Sequence, residues 1–385
     1  MSSDQQTTTR ARLYFIDLLR GWAVFVMIET HVLNALLLPP LKDQSLFKII
    51  TFINGLVAPA FLFCAGLALA ITFQRKWNDF INLKAPLWKY LFRLLFILVI
   101  GYSLHLPFFS LRKMMGLRDT QLWMSFSQVD ILQTIVVSLL LLIIILLLVR
   151  KHLWFIFTAT ILMIAFVYSA PVVREIDYSS LPIWLRPYLT QHYKSQFPLF
   201  PWAAFLISGA ILGLWYLYER ERSSEKKIMQ QILTLAAVGI ALSLTSEMLP
   251  FTVYPVHNFW LASPGFFFVR LGLVVAALVG LWYYIKDKQV SSRAFFILLG
   301  QESLLIYVVH LLIVYGYTYR WSFIRLFGST LNYSECIVIF LALSILMYAL
   351  GYTWHWLKSR NKRFALTIEV VTLSIIVIIF ILKTD

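Results

Sequence analysis

The chain has 385 residues, of which 60% are hydrophobic, 16% aromatic and only 13% charged. A soluble domain carries roughly 25% charged residues, so this composition, with a mean hydropathy of +0.79, excludes an ordinary soluble protein and points to an all-α polytopic integral membrane protein. The formal net charge of +15 does not signal a nucleic-acid partner: Lys and Arg are scattered between apolar runs rather than gathered in a basic arm, as the positive-inside rule requires of membrane loops.

In chain order, residues 1–11, with "MSSDQQTTT" at their start, read as a short disordered cytoplasmic tail. A membrane-crossing helix needs about 20 mostly apolar residues. By that criterion the sequence predicts about eleven transmembrane helices, at approximately 13–38, 51–73, 87–109, 129–149, 153–170, 198–218, 228–249, 265–285, 295–319, 333–357 and 366–382. The first run is too long for a signal-peptide core and lacks a small-residue cleavage site. No fixed-period repeat and no inserted soluble domain is visible, so residues 1–385 read as one transmembrane domain, with 320–385 as accessory C-terminal helices. Cys64 and Cys336 lie within apolar runs and fit no metal pattern. With the N-terminus placed in the cytoplasm, the cytoplasmic loops collect Arg75, Lys76, Lys84, Arg150, Lys151, Arg222, Lys226, Lys288 and Lys358, among others. The opposite loops hold fewer, such as Lys42, Arg112, Arg186 and Arg320. That bias predicts the N-terminus inside and the C-terminus outside.

Ionisable groups inside a bilayer are costly and tend to face a cavity or a partner. In "RGWAVFVMIETH", Arg20 and His31 stand eleven residues apart. That spacing is about three helical turns, which puts them on one face about 16 Å apart along the axis. Asp17 and Asn34 flank the same face, and Glu29 points toward a neighbouring helix. In "GQESLLIYVVHLLIV", Ser303, Tyr307 and His310 form one helical stripe. Asp130 and Gln133 open the fourth span in "QVDILQTI". In "FPLFPWAAFLISGAILG", Gly209 and Gly213 have the spacing of close helix packing, with Trp202 a candidate pocket wall. Lys89 and Arg93, four apart, project on one side and with Arg20 could form a cationic mouth for phosphates.

Each feature also has a plain structural reading. Arg20 can snorkel to headgroups, His31 can be a packed core histidine, and Asp130 can serve the helix dipole. No P-loop, GxGxxG turn, HExxH or CxxC pair is present. Intramembrane His, Arg and Glu also suit a transporter or flippase for a small polar or lipid-linked solute, although no inverted repeat is visible. A non-catalytic scaffold would need no polar groove.

The R-x10-H pattern of the first span resembles that of acyltransferase-3-type membrane acyltransferases. Closer still is the resemblance to the heparan-α-glucosaminide N-acetyltransferase-like family and its bacterial members. It is carried in order by "RLYFIDLLRGWAVFVMIETH", "GLVAPAFLFCAGLALAI", "VDILQTI", "FPLFPWAAFLISGAILG" and "LLGQESLLIYVVHLLIV", across residues 12 to about 315. The resemblance implies a transmembrane bundle in a bacterial inner (cytoplasmic) membrane. It implies acyl transfer from cytosolic acetyl-CoA to a hydroxyl or amine of a sugar or glycan at the outer face, with no metal. On this reading His31 is the general base, with Asn34 and Glu29 completing the catalytic set. Arg20, Asp17, Lys89 and Arg93 hold the CoA. Asn54, Asp130, Gln133, Trp202, Ser303, Tyr307 and His310 surround the acceptor. One departure stands out: the animal branch carries its histidine at the start of the second span, and the matching stretch here, "LFKIITFING", has none. The sequence leaves open the acceptor, O- against N-transfer, acetyl against longer acyl groups, a direct against an acetyl-enzyme route, and monomer against homodimer.

Overall fold

The structure, a computed structural model, describes residues 12–249, 254, 258–316 and 321–383; the tail expected over 1–11 lies outside them. Its long helices are α1 (Tyr14–Leu36), α2 (Ser45–Asn54), α3 (Val57–Ile81), α4 (Ala85–Ser103), α5 (Ile131–Val149), α6 (His152–Glu175) and α7 (Leu199–Glu219). They continue as α8 (Glu225–Ser246), α9 (Pro264–Ile285), α10 (Phe295–Gln301), α11 (Ser303–Tyr315), α12 (Tyr333–Arg360) and α13 (Lys362–Leu382). Among the described residues no strand forms beyond an isolated bridge between Leu37 and Leu331. Among the described residues nine runs are long and apolar enough to cross a membrane, α2 and α3 counting together as Ser45–Ile81, and α10 with α11 makes a tenth if taken as one broken crossing. The chain is an all-α polytopic membrane bundle.

Each of the eleven expected segments is helical, but two differ from a simple crossing. The first, α1, stands outside the nine, because Asp17, Arg20 and Glu29 make it too polar. It is sheathed by protein instead of lipid: 14 of its 23 residues are buried, and it packs against α3, α9, α10, α11 and α12. The second, expected at 295–319, is two helices bent by 90°, and residues 317–319 lie outside the described ones. Glu302 stands at the bend with a buried side chain. Its Oε2 accepts from Lys358 Nζ at 2.6 Å and its Oε1 lies 3.1 Å from His355 Nδ1, both on α12. A buried carboxylate must find partners; here they lie on a neighbouring helix, and the span turns where they are met.

Small residues let helices meet backbone to backbone. A Cβ on Gly66 of α3 would stand 1.9 Å from the Leu206 carbonyl oxygen of α7, and one on Gly209 would stand 2.1 Å from that of Phe63. Gly213 continues the seam against Ala70, as its spacing from Gly209 predicts. The same device joins α1 to α10: a Cβ on Gly21 would lie 1.7 Å from the Phe296 carbonyl oxygen, and one on Gly300 would lie 2.0 Å from that of Asp17. Of the two C-terminal helices, α12 packs on α1, α10 and α11, whereas only Ala365 of α13 is buried.

Candidate active site

Two cavities lie along α1. The first, about 650 Å³, surrounds its C-terminal half and is lined by His31, Asn34, Asn54, His105, Gln128, Asp130, Trp202, Tyr307 and Tyr315, among others. The second, about 220 Å³, lies beside its N-terminal half at Arg20 and is lined also by Thr72, Tyr90, Arg93, Ser303 and Tyr307, with a largely aliphatic remainder. Phe61, Ile131 and Tyr307 border both. One cavity is therefore cationic, the other holds histidine and carboxylate, and three residues form a wall common to both.

Local folding rules place the polar groups of the first cavity. Asp130 caps α5: its Oδ1 accepts from the Ile131 N–H at 2.7 Å, and the Gln133 side chain accepts from the Asp130 N–H at 3.3 Å. This is the reciprocal capping box. Only Oδ1 is spent on the cap. Oδ2 receives the Tyr307 hydroxyl at 3.2 Å and lies 3.6 Å from His105 Nε2. Gln128 bonds the same histidine through Nδ1. The segment before α7 lies across the head of α5: Ser195 Oγ donates to the Val129 carbonyl at 3.1 Å and Thr134 Oγ1 donates to that of Phe197.

His31 Nδ1 lies 3.1 Å from the Tyr315 hydroxyl, within electrostatic reach of Asp130. His310 stands behind it with ring centroids 5.2 Å apart. Its Nδ1–H donates to the Ile306 carbonyl at 2.7 Å, one turn back, which leaves Nε2 as a buried acceptor without a protein partner among the described residues. Glu29 bonds Asn54, so it meets a neighbouring helix, as its angular position on α1 predicts.

The residues expected from the sequence fall into two groups. Arg20, Arg93 and Ser303 line the second cavity, His31, Asn34, Asn54, Asp130 and Trp202 line the first, and Tyr307 lines both. The others stand outside both walls. Asp17 is buried and bonds Arg12 Nε at 2.6 Å. Lys89 is exposed. Gln133 completes the cap of α5, and His310 backs His31. Sequence reasoning passed over His105, Gln128 and Tyr315. His105, a histidine at the end of an apolar run, was the strongest available signal; Gln128 and Tyr315 carry none.

The fold is a helical membrane bundle with one cationic cavity and one that holds histidine and carboxylate. The family model for the catalytic region of heparan-alpha-glucosaminide N-acetyltransferase matches residues 12–257. That is more than half of the chain, and the protein belongs to this family. Among curated proteins none matches the chain.

Proposed function

We propose that the protein moves an acyl group, acetyl in the simplest case, from cytosolic acyl-CoA to a hydroxyl or amine of a sugar acceptor at the outer face. The observation that carries this reading is the pair of cavities that meet at Phe61, Ile131 and Tyr307. The CoA phosphates sit with Arg20 and Arg93, since guanidinium groups are suited to phosphate oxygens. The pantetheine arm passes the shared wall and delivers the thioester beside His31. With the His31 Nδ1–H donating to the Tyr315 hydroxyl, Nε2 is the free lone pair. It takes the proton of the acceptor O–H or N–H as the acceptor attacks the thioester carbonyl. Asn34 and Asn54, the latter held by Glu29, donate to the developing oxyanion. The C–S bond then breaks, and the CoA thiolate takes the proton back from the imidazolium. The Asp130 carboxylate stabilises that transient cation. The excess of Lys and Arg in one set of loops sets the orientation, with the N-terminus in the cytoplasm.

The test is CoA release from labelled acetyl-CoA by the purified protein in nanodiscs, with a panel of amino and neutral sugars. His31→Ala is expected to lower the rate by about 10²–10⁴-fold, the contribution of a positioned base, while acetyl-CoA still binds. A His31→Ala protein as fast as the wild type removes His31 from this role.

A further inference from the structure

Beside two lining residues of the first cavity, Gly55 and Trp202, stands a cation that the acyl-transfer scheme does not use. Arg270 lies on α9, six residues after its first residue Pro264, about 9 Å along the axis. Its guanidinium stacks on Phe266 at 3.8 Å from the ring centroid and approaches Trp202 at 5.6 Å. Trp202 and Gly55 are both walls of the cavity. A Cβ on Gly55 would stand 3.6 Å from Arg270 Nη2, so the guanidinium lies against the backbone of a residue that lines the chamber. Among the described residues no carboxylate pairs with Arg270. Glu247, at the end of the adjoining helix α8, receives the Ser263 hydroxyl at 3.1 Å.

A guanidinium inside a membrane protein without a counter-ion is expensive. Stacking on aromatic faces recovers part of that cost and leaves the N–H edge unspent, in the planar fork that matches a carboxylate or phosphate. We propose that Arg270, with Trp202 beside it, is the subsite for an oxyanion carried by the acceptor, so that the sugar modified is an acidic one: a sugar acid or a sugar phosphate. Arg270 lies outside residues 12–257, the range that the family model matches. The inference rests on the acyl-transfer reading for the identity of the cavity, but binding tests it without any transfer.

The experiment measures thermal stabilisation of the full chain in phosphatidylcholine nanodiscs by matched probes: glucuronate against glucose, and glucosamine 6-phosphate against glucosamine. Wild-type protein is expected to respond to the charged member at concentrations at least about tenfold lower than to the neutral one, the factor that a charge-assisted hydrogen bond supplies. Arg270→Gln should abolish that difference, Arg270→Lys should keep part of it, and both should bind acetyl-CoA as the wild type does. Equal responses to charged and neutral sugars in wild-type protein overturn the proposal, as does a preference that survives in Arg270→Gln. A parallel titration with phosphatidylglycerol separates a lipid source of the anion. If Arg270→Gln loses affinity for that lipid alone, the arginine belongs to a headgroup and the acceptor subsite is refuted. A charged-sugar preference without CoA release defeats the acyl-transfer reading and not this one; CoA release without the preference does the reverse.

Discussion

Arg20 and His31 share one face of α1, and the helix carries them into different chambers. Their spacing was legible because a helix fixes the face and the rise whatever surrounds it. The same holds for Asp130 at the head of α5, whose cap and site roles use different oxygens of one carboxylate. Lys89 and Arg93 also share a helical side and both are exposed, but Arg93 lines the second cavity and Lys89 does not. Arg93→Ala should therefore raise the Kd for acetyl-CoA about tenfold, the worth of one charge-assisted contact, while Lys89→Ala, at a residue that lines neither cavity, stays within about twofold. Isothermal titration in nanodiscs checks both, and equal losses would place Lys89 on the phosphates as well. The partners of His105 and Tyr315 were not legible, although His105 itself, at the end of an apolar run, could have been singled out. His105 reaches Asp130 from the far end of α4, and Tyr315 meets His31 across 284 residues of sequence; no local period encodes such meetings.

At the level of the helices, apolar runs located the segments and left their ends and their breaks open. The expected span at 295–319 contains no proline, and nothing between Gly300 and Ser303 announces a right-angled turn. At the bend Glu302 meets His355 and Lys358, more than fifty residues downstream. Small-residue spacing was more informative, since Gly209 and Gly213 face α3 as expected. Gly66→Ala forces a methyl group against the Leu206 carbonyl and should cost about 1–3 kcal/mol, as overpacking does. Thermal melting of the purified protein reads the loss, and an unchanged Tm would mean that the α3–α7 seam can open freely. Gly239→Ala is the control, because a Cβ there meets nothing within 4 Å.

For the whole molecule, the loop charges and the cavities make a joint statement about sidedness. If the cationic chamber faces the cytoplasm, Arg222 and Asp287 lie on that side, and Asp43 and Ser179 lie on the other. Single cysteines at these positions, labelled in intact cells with a membrane-impermeant maleimide, should react at 43 and 179 and stay silent at 222 and 287 until the cells are opened. The two native cysteines, Cys64 and Cys336, are buried, so background is low. The reverse pattern would invert the protein and the proposed direction of transfer. The wall formed by Phe61, Ile131 and Tyr307 then has a second duty. Moving one elementary charge down a membrane potential releases about 2.3 kcal/mol per 100 mV, so an open bore between two wet chambers would short-circuit the cell. On the acyl-transfer reading, Phe61, Ile131 and Tyr307 would have to keep ions from passing between the chambers, and an acyl carrier that threads between them would itself be the plug.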